Sequence, residues 1–240
     1  HVLFKAIGLK KGDKVALCGR NSSHWAIAML ATVSYEAVAV SIMDAFTPES
    51  IYALVKHSDA RIFMVGDVVW KNLKVEELNQ VDAIICQNTL ELYYGKNEEV
   101  KNAHSSWDKL FAAEYPEGFD PTKVTYATDN FDEPAIINYT SGSTGDPKGV
   151  VLTHKNISSN VTFGQDWIPN QAGWNVVSML PLAHMFGLTF EFLYQLAGGC
   201  HVYFLNRTPS PQVLLKALSE VHPYMMLTVP LVIEKIFKKS

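Results

Sequence analysis

A chain of 240 residues that is 48% hydrophobic and 18% charged has enough apolar side chains for a sizeable core, which excludes a disordered or fibrous polymer. Its formal net charge is -4 and no run of Lys or Arg exceeds two residues, so the charge pattern gives no electrostatic reason to expect a nucleic-acid partner. Cys18, Cys86 and Cys200 are odd in number, far apart and without a C-x-x-C pair, which argues against a disulfide framework or a zinc site and for a reducing compartment. The most apolar region, residues 176–205, is broken by Pro181, His184, Glu191 and His201, so no transmembrane segment is expected. His1-Val2-Leu3-Phe4-Lys5 carries neither an initiator Met nor a signal-peptide pattern, and the expectation is a piece of a longer protein.

In chain order, Val15-Ala16-Leu17-Cys18 reads as a short buried strand, and Asn21-Ser22-Ser23 offers helix caps before an apolar helix over residues 25–35. Ala37 to Ile42 is a continuous run rich in β-branched residues, suited to a sheet covered on both faces. Thr47-Pro48-Glu49 sets a capping hydroxyl, a first-turn proline and an acid in the order a helix start prefers, and that helix runs to about residue 57. Strands follow at 61–65 and 81–86, with a weak helix at 73–78 between them. Short apolar strands alternating with helices predict an α/β layered domain with a mostly parallel sheet.

From residue 87 to 132 the signal fades, apart from a short helix over 106–111, and Pro116, Gly118 and Pro121 among acids read as an exposed connection. Beyond residue 153 the pattern predicts a helix over 154–166, a boundary at 169–173 and a strand at 175–180 ending on Pro181. A buried helix over 188–196 closed by Gly198-Gly199, a strand at 201–205, a Ser210-capped helix over 211–220, a strand at 225–228 and a last helix over 230–238 complete the series. No repeat or low-complexity block interrupts it.

Between the apolar run Ala135-Ile136-Ile137 and a second short strand, Gly149-Val150-Val151-Leu152, lies the stretch on which function turns. Tyr139-Thr140-Ser141-Gly142-Ser143-Thr144-Gly145-Asp146-Pro147-Lys148-Gly149 holds three glycines, four small hydroxyls and one lysine. Glycines let several backbone N–H groups converge on an anion, the hydroxyls add donors or a hard metal ligand, and Lys148 adds a point charge. A plain linker has a similar composition, so order is what matters. The pattern is not a Walker A loop, because Lys148 is followed by Gly149 rather than Ser or Thr, and the loop joins two strands instead of opening a helix.

Tyr139 to Gly149 closely resembles the Y-T-S-G-[ST]-T-G-x-P-K-G signature of adenylate-forming (AMP-binding) enzymes, the superfamily of acyl-CoA synthetases, peptide-synthetase adenylation domains and beetle luciferases. Met179 to Gly187 resembles its L-P-[LF]-x-H-x-[FY]-G motif. Val229 to Ile236 is similar to a segment of the long-chain fatty-acyl branch, though Leu231 stands where that branch usually has Arg.

The resemblance implies the N-terminal domain of that superfamily, with α-β-α layers incomplete at both ends. Residues 1–173 would form the first lobe, with the phosphate loop, and 174–240 the beginning of the second. It implies an acid–thiol ligase, cytoplasmic or attached peripherally at the inner membrane face, that activates a fatty acid or other carboxylate with ATP and Mg2+ and passes it to coenzyme A. By position, Ser141, Gly142, Ser143, Thr144, Gly145 and Lys148 would hold the ATP phosphates, and Thr140 would supply a hydroxyl to Mg2+. His184 would lie beside the substrate carboxylate, and Phe186 with Gly187 would shape the acyl entrance. The adenine, ribose and C-terminal lysine sites of the family are expected outside this chain, so the 240 residues alone are expected to be inactive. A non-catalytic nucleotide-binding module and a luciferase-like or carrier-loading enzyme remain the alternatives.

Overall fold

The computed structural model describes residues 1–141, 147–207, 209–230 and 234. The chain divides into two compact units, His1–Gly19 with Ile27–His154, and Arg20–Ala26 with Lys155–Ser240.

The first unit is built on a seven-stranded sheet, β1 (Lys14–Cys18), β2 (Val38–Ile42), β3 (Ala60–Val65), β4 (Ala83–Cys86), β5 (Leu92–Gly95), β6 (Pro134–Ser141) and β7 (Pro147–Thr153), in the order β5-β4-β3-β1-β2-β6-β7. The central pairs are parallel, and the two edge strands β5 and β7 run antiparallel to their neighbours. All five residues of β2 are buried, as the unbroken Val-Ala-Val-Ser-Ile run requires of a strand covered on both faces. Successive side chains of a strand point to opposite faces. One face, carrying Ala16, Cys18, Val40, Ile42, Phe63, Val65 and Ile84, packs with Ile51, Leu54 and Val55 from the helix Pro48–His57.

The helices of this unit are α1 (Val2–Ile7), α2 (Ser23–Ser34), whose first turn belongs to the second unit, α3 (Pro48–His57), α4 (Asp67–Trp70), α5 (Glu98–Ser105) and α6 (Trp107–Glu114). At α3 the sequence signal is realised atom by atom. Thr47 caps the helix by accepting from Ser50 N, Pro48 stands in the first turn, and Glu49 precedes Lys56 and His57 in the sense the helix dipole favours. Arg61 ties the starts of three parallel strands together, donating to Asp13 and Asp82 and to the carbonyl of Gly8.

Two elements lie where the sequence shows no period. The edge strand β5 extends the sheet beyond β4, and α5 starts on Asn97, whose side chain accepts from Val100 N, with Val100 its one buried residue. The expected weak helix over 73–78 is a single 3-10 turn, Val75–Leu78.

In the second unit α7 (His154–Trp167) leads to a two-stranded parallel sheet of β8 (Asn175–Ser178) and β9 (His201–Phe204), with α8 (Tyr194–Ala197) and α9 (Pro211–Val221) packed around it. Met179, Leu180 and Leu214 form its small core. The helix expected over 188–196 begins as a wide π-helical turn, Gly187–Leu193, and becomes α-helical only at Tyr194. Instead of a strand, residues 225–228 make one isolated bridge, Val176 to Met225, and the helix expected over 230–238 falls largely outside the described residues. Ser210 caps α9 through a bond from Val213 N.

Replacing Thr47 by Ala should cost about 1 kcal/mol of stability, with Ser in its place recovering most of it. Urea unfolding followed by circular dichroism reads this directly, and an unchanged midpoint for Thr47→Ala would mean that the cap is idle.

Candidate functional site

The hairpin β6–β7 is held at one end and free at the other. Ala135 and Ile136 are fully buried where β6 pairs with β2, through Ala39↔Ile136 and Ser41↔Asn138. Past Asn138 the pairing with β2 stops while that with β7 continues, Tyr139↔Gly149, Thr140↔Lys148 and Ser141↔Pro147. Thr140 and Lys148 are therefore cross-strand neighbours, both exposed, at the exposed end of a strand rooted in the core. For Ser141 only the backbone is described, and Gly142, Ser143, Thr144 and Gly145 lie outside the described residues.

Tyr139 braces this end. Its hydroxyl lies 2.7 Å from His57 Nδ1 at the last turn of α3, and the two rings meet edge to face at 5.7 Å. The ring lies over Gly149, where an added Cβ would stand 3.1 Å from Ile137 Cγ2 and 3.3 Å from Tyr139 Cε1. A larger residue there would push the tyrosine off the hairpin. Burial raises the Tyr139 phenol above its usual range, so the hydroxyl stays protonated at neutral pH and can donate to the imidazole.

In the second unit His184 ends a tight turn after β8. Its N–H donates to Pro181 O at 3.0 Å, and its carbonyl accepts from Leu188 N at 3.0 Å as the π-helical turn begins. The backbone N–H of Phe186 donates to His184 Nδ1 at 3.3 Å. Since Nδ1 accepts, the neutral ring carries its proton on Nε2, and the exposed side chain can offer that proton outward. Gly187 is required by contact, because a Cβ there would come within 2.6 Å of Pro181 O. Phe186, 41% exposed, starts an aromatic row along the helix, with Phe190 at 5.3 Å and Tyr194 a further 6.5 Å on.

In the sequence Glu191 stands out only as a break in an apolar run. It is fully buried, and its Oε2 accepts from Met179 N and Leu180 N, both at 2.8 Å. Burial pushes its carboxyl up to about 8, against the opposing pull of those two amides. Ser178 lies close enough to act on the carboxyl, yet neither its Oγ nor Glu191 Oε1 completes a hydrogen bond among the described residues. An acid isolated in an apolar segment was the signal that could have found it.

The sequence-predicted residues thus fall into two groups. Thr140 and Lys148 share one hairpin of the first unit, and His184, Phe186 and Gly187 share one turn of the second. Among the described residues there is no cluster of three His, Cys, Asp or Glu able to hold a metal, and no helix long and apolar enough to cross a membrane.

A family model described as AMP-binding enzyme matches residues 1–240. A probable acyl-activating enzyme of Arabidopsis thaliana, chloroplastic, is 27% identical over 245 residues, covering 98% of this chain and 33% of that protein. Long-chain-fatty-acid–CoA ligase 1 of Schizosaccharomyces pombe is 28% identical over 243 residues, covering 98% of this chain and 35% of that protein. The chain therefore spans about a third of the length of these curated relatives. Among solved structures, ATP-bound MatB of Rhodopseudomonas palustris superposes with a TM-score of 0.75 at 20% identity, over 99% of this chain and 43% of that one, a likeness of fold.

Because Glu191 loses its proton near pH 4.5 when unfolded and near 8 when folded, the folded state holds the extra proton between those values. Wild-type stability should therefore fall as pH rises through that window, by at most about 1.4 kcal/mol per pH unit, and level off above it. Glu191→Gln lacks this slope, so its melting temperature relative to wild type should climb from pH 5 to pH 8. A difference that stays constant with pH would show that the carboxyl titrates normally.

Proposed function

Because this chain belongs to the AMP-binding enzyme family, we propose that the complete protein joins a long-chain fatty acid to ATP as an acyl-adenylate and passes the acyl group to coenzyme A. The observation that supports this reading is the hairpin, which pairs Thr140 with Lys148 across neighbouring strands on either side of the glycine-rich stretch. The fatty-acid substrate and the CoA acceptor rest on the likeness to the fission-yeast ligase. The three cysteines are buried and free, in keeping with a cytoplasmic location. In this reading residues 1–173 are the phosphate-bearing lobe and 174–240 open the second.

An oxygen of the carboxylate attacks the α-phosphorus of ATP, and the bond to the bridging oxygen breaks as pyrophosphate leaves. An anion must approach a polyanion, so the barrier is largely electrostatic, and groups fixed before the reaction lower it most. In our assignment Lys148 and the N–H groups of residues 141–145 take the charge of the β- and γ-phosphates. His184 donates from Nε2 to the carboxylate and holds it in line, while Phe186 and Gly187 border the acyl chain. The thiol of coenzyme A then attacks the acyl carbon, and AMP departs with the bonding pair.

The Thr140 hydroxyl is a hard oxygen, exposed and beside Lys148, and as a single donor it fits a Mg2+ ion held chiefly by phosphate oxygens and water. Bound there, the ion would neutralise phosphate charge.

Exchange of labelled pyrophosphate into ATP, run on the complete gene product with acids from acetate to palmitate, tests this reading. It should peak with long acids and fall roughly a hundredfold in Lys148→Ala. A folded protein that exchanges with no acid would overturn the enzyme reading in favour of a nucleotide-binding module. Full exchange in the mutant would remove Lys148 from the mechanism.

A further inference from the structure

The backbone between β8 and His184 has no sheet to hold it. The pairing of β8 with β9 ends at Ser178↔Phe204, and Leu205 N closes it by donating to Ser178 O at 2.8 Å. The next backbone groups are satisfied by two side chains from distant parts of the sequence. Glu191 accepts from Met179 N and Leu180 N, both at 2.8 Å. Asn21 donates from Nδ2 to Leu180 O at 2.7 Å and accepts at Oδ1 from Leu182 N at 2.9 Å. Four short bonds thus grip Met179–Leu182 from two sides, immediately before the turn in which His184 N bonds Pro181 O.

Ordinary packing does not call for this arrangement. The surrounding core of Met179, Leu180 and Leu214 is apolar, and an acid taken into it loses its hydration. What a carboxyl supplies that a leucine cannot is direction, since one oxygen receiving two successive N–H groups fixes the peptide plane between them. Asn21 fixes the following peptides in the same way, reading one carbonyl and one N–H. The next fixed point is the Phe186 N–H to His184 Nδ1 bond, which sets the imidazole itself. The chain of constraint runs from one buried and one half-buried side chain, through four residues of backbone, to one ring nitrogen.

We propose that Asn21 and Glu191 are positioning residues that clamp the Met179–Leu182 backbone and so aim His184 Nε2 at the substrate carboxylate. This rests on the reading of His184 as the carboxylate-facing group. Neither side chain touches substrate; each acts through the histidine.

A double-mutant cycle on the complete gene product tests it, using palmitate-dependent pyrophosphate exchange in wild type, Glu191→Ala, His184→Ala and the double mutant. Glu191→Ala should lower turnover roughly ten- to a hundredfold with little change in KM for ATP. Glu191→Gln, which keeps an oxygen for both amides, should recover most of it. In the His184→Ala background Glu191→Ala should cost nothing further. A loss that persists undiminished without His184, or full turnover in folded Glu191→Ala, would overturn the proposal. Should Glu191→Ala fail to fold, Asn21→Ala carries the same cycle.

The rate at which diethyl pyrocarbonate modifies His184, mapped by peptide mass spectrometry, provides a readout independent of turnover. It should change several-fold in Asn21→Ala or Glu191→Ala, and equal rates would count against the clamp. Absence of exchange in wild type would sink the adenylation reading, while the modification rates would still decide whether the clamp orients the ring.

Discussion

Strand β6 is anchored in the core by Ala135 and Ile136 and is exposed by Thr140, and the proposed chemistry depends on that gradient. Ala135 and Ile136 are sealed against β2, whereas Thr140, four residues on, is exposed beside Lys148. A loop that meets a triphosphate has to satisfy two demands that conflict in a free chain. Its backbone has to be open enough to approach an anion, and its flanks have to be rigid enough to avoid paying the ordering entropy at each encounter. An antiparallel pair grown on the margin of a buried parallel sheet meets both. Tyr139, braced on His57 and lying over Gly149, fixes a rung close to the end of that pair.

The second unit meets a similar demand by different means. Among the described residues the sheet there is two strands wide, and the segment carrying His184 leaves it without a strand partner. Side chains replace the missing ladder: Asn21 and Glu191 supply four hydrogen bonds that a neighbouring strand would otherwise have made. The penalty appears as a buried carboxyl pushed up to about 8 and an Oε1 with no hydrogen-bond partner among the described residues. The π-helical turn at Gly187–Leu193 starts where the backbone of Gly187 lies so close to Pro181 that no side chain would fit.

What could be read from the sequence follows the same physics. Strands buried on both faces announce themselves as unbroken apolar runs, so β1, β2, β3 and β4 were legible, as were the helices that begin on Thr47 and Ser210. The edge strand β5 and the helix α5 were not, since a half-exposed edge needs no apolar run and α5 buries only Val100. Thr140, Lys148, His184, Phe186 and Gly187 were found because they sit in compact, ordered motifs. Asn21 and Glu191 were missed because their partners are backbone atoms up to 161 residues away, a relation that no local pattern encodes. The same limit explains residues 225–228, whose apolar side chains read as a strand although only Met225 finds a bridge.

If a carboxylate oxygen attacks the α-phosphorus of ATP, that oxygen stays with AMP, and isotope transfer reveals it. Palmitate labelled with oxygen-18 in its carboxyl group, incubated with ATP, coenzyme A and the complete gene product, should yield AMP carrying one labelled oxygen, because the attacking oxygen stays on phosphorus when the thiol displaces the acyl group. Label found instead in inorganic phosphate, with ADP as the co-product, would mean attack at the γ-phosphorus and an acyl-phosphate route, and would contradict the account.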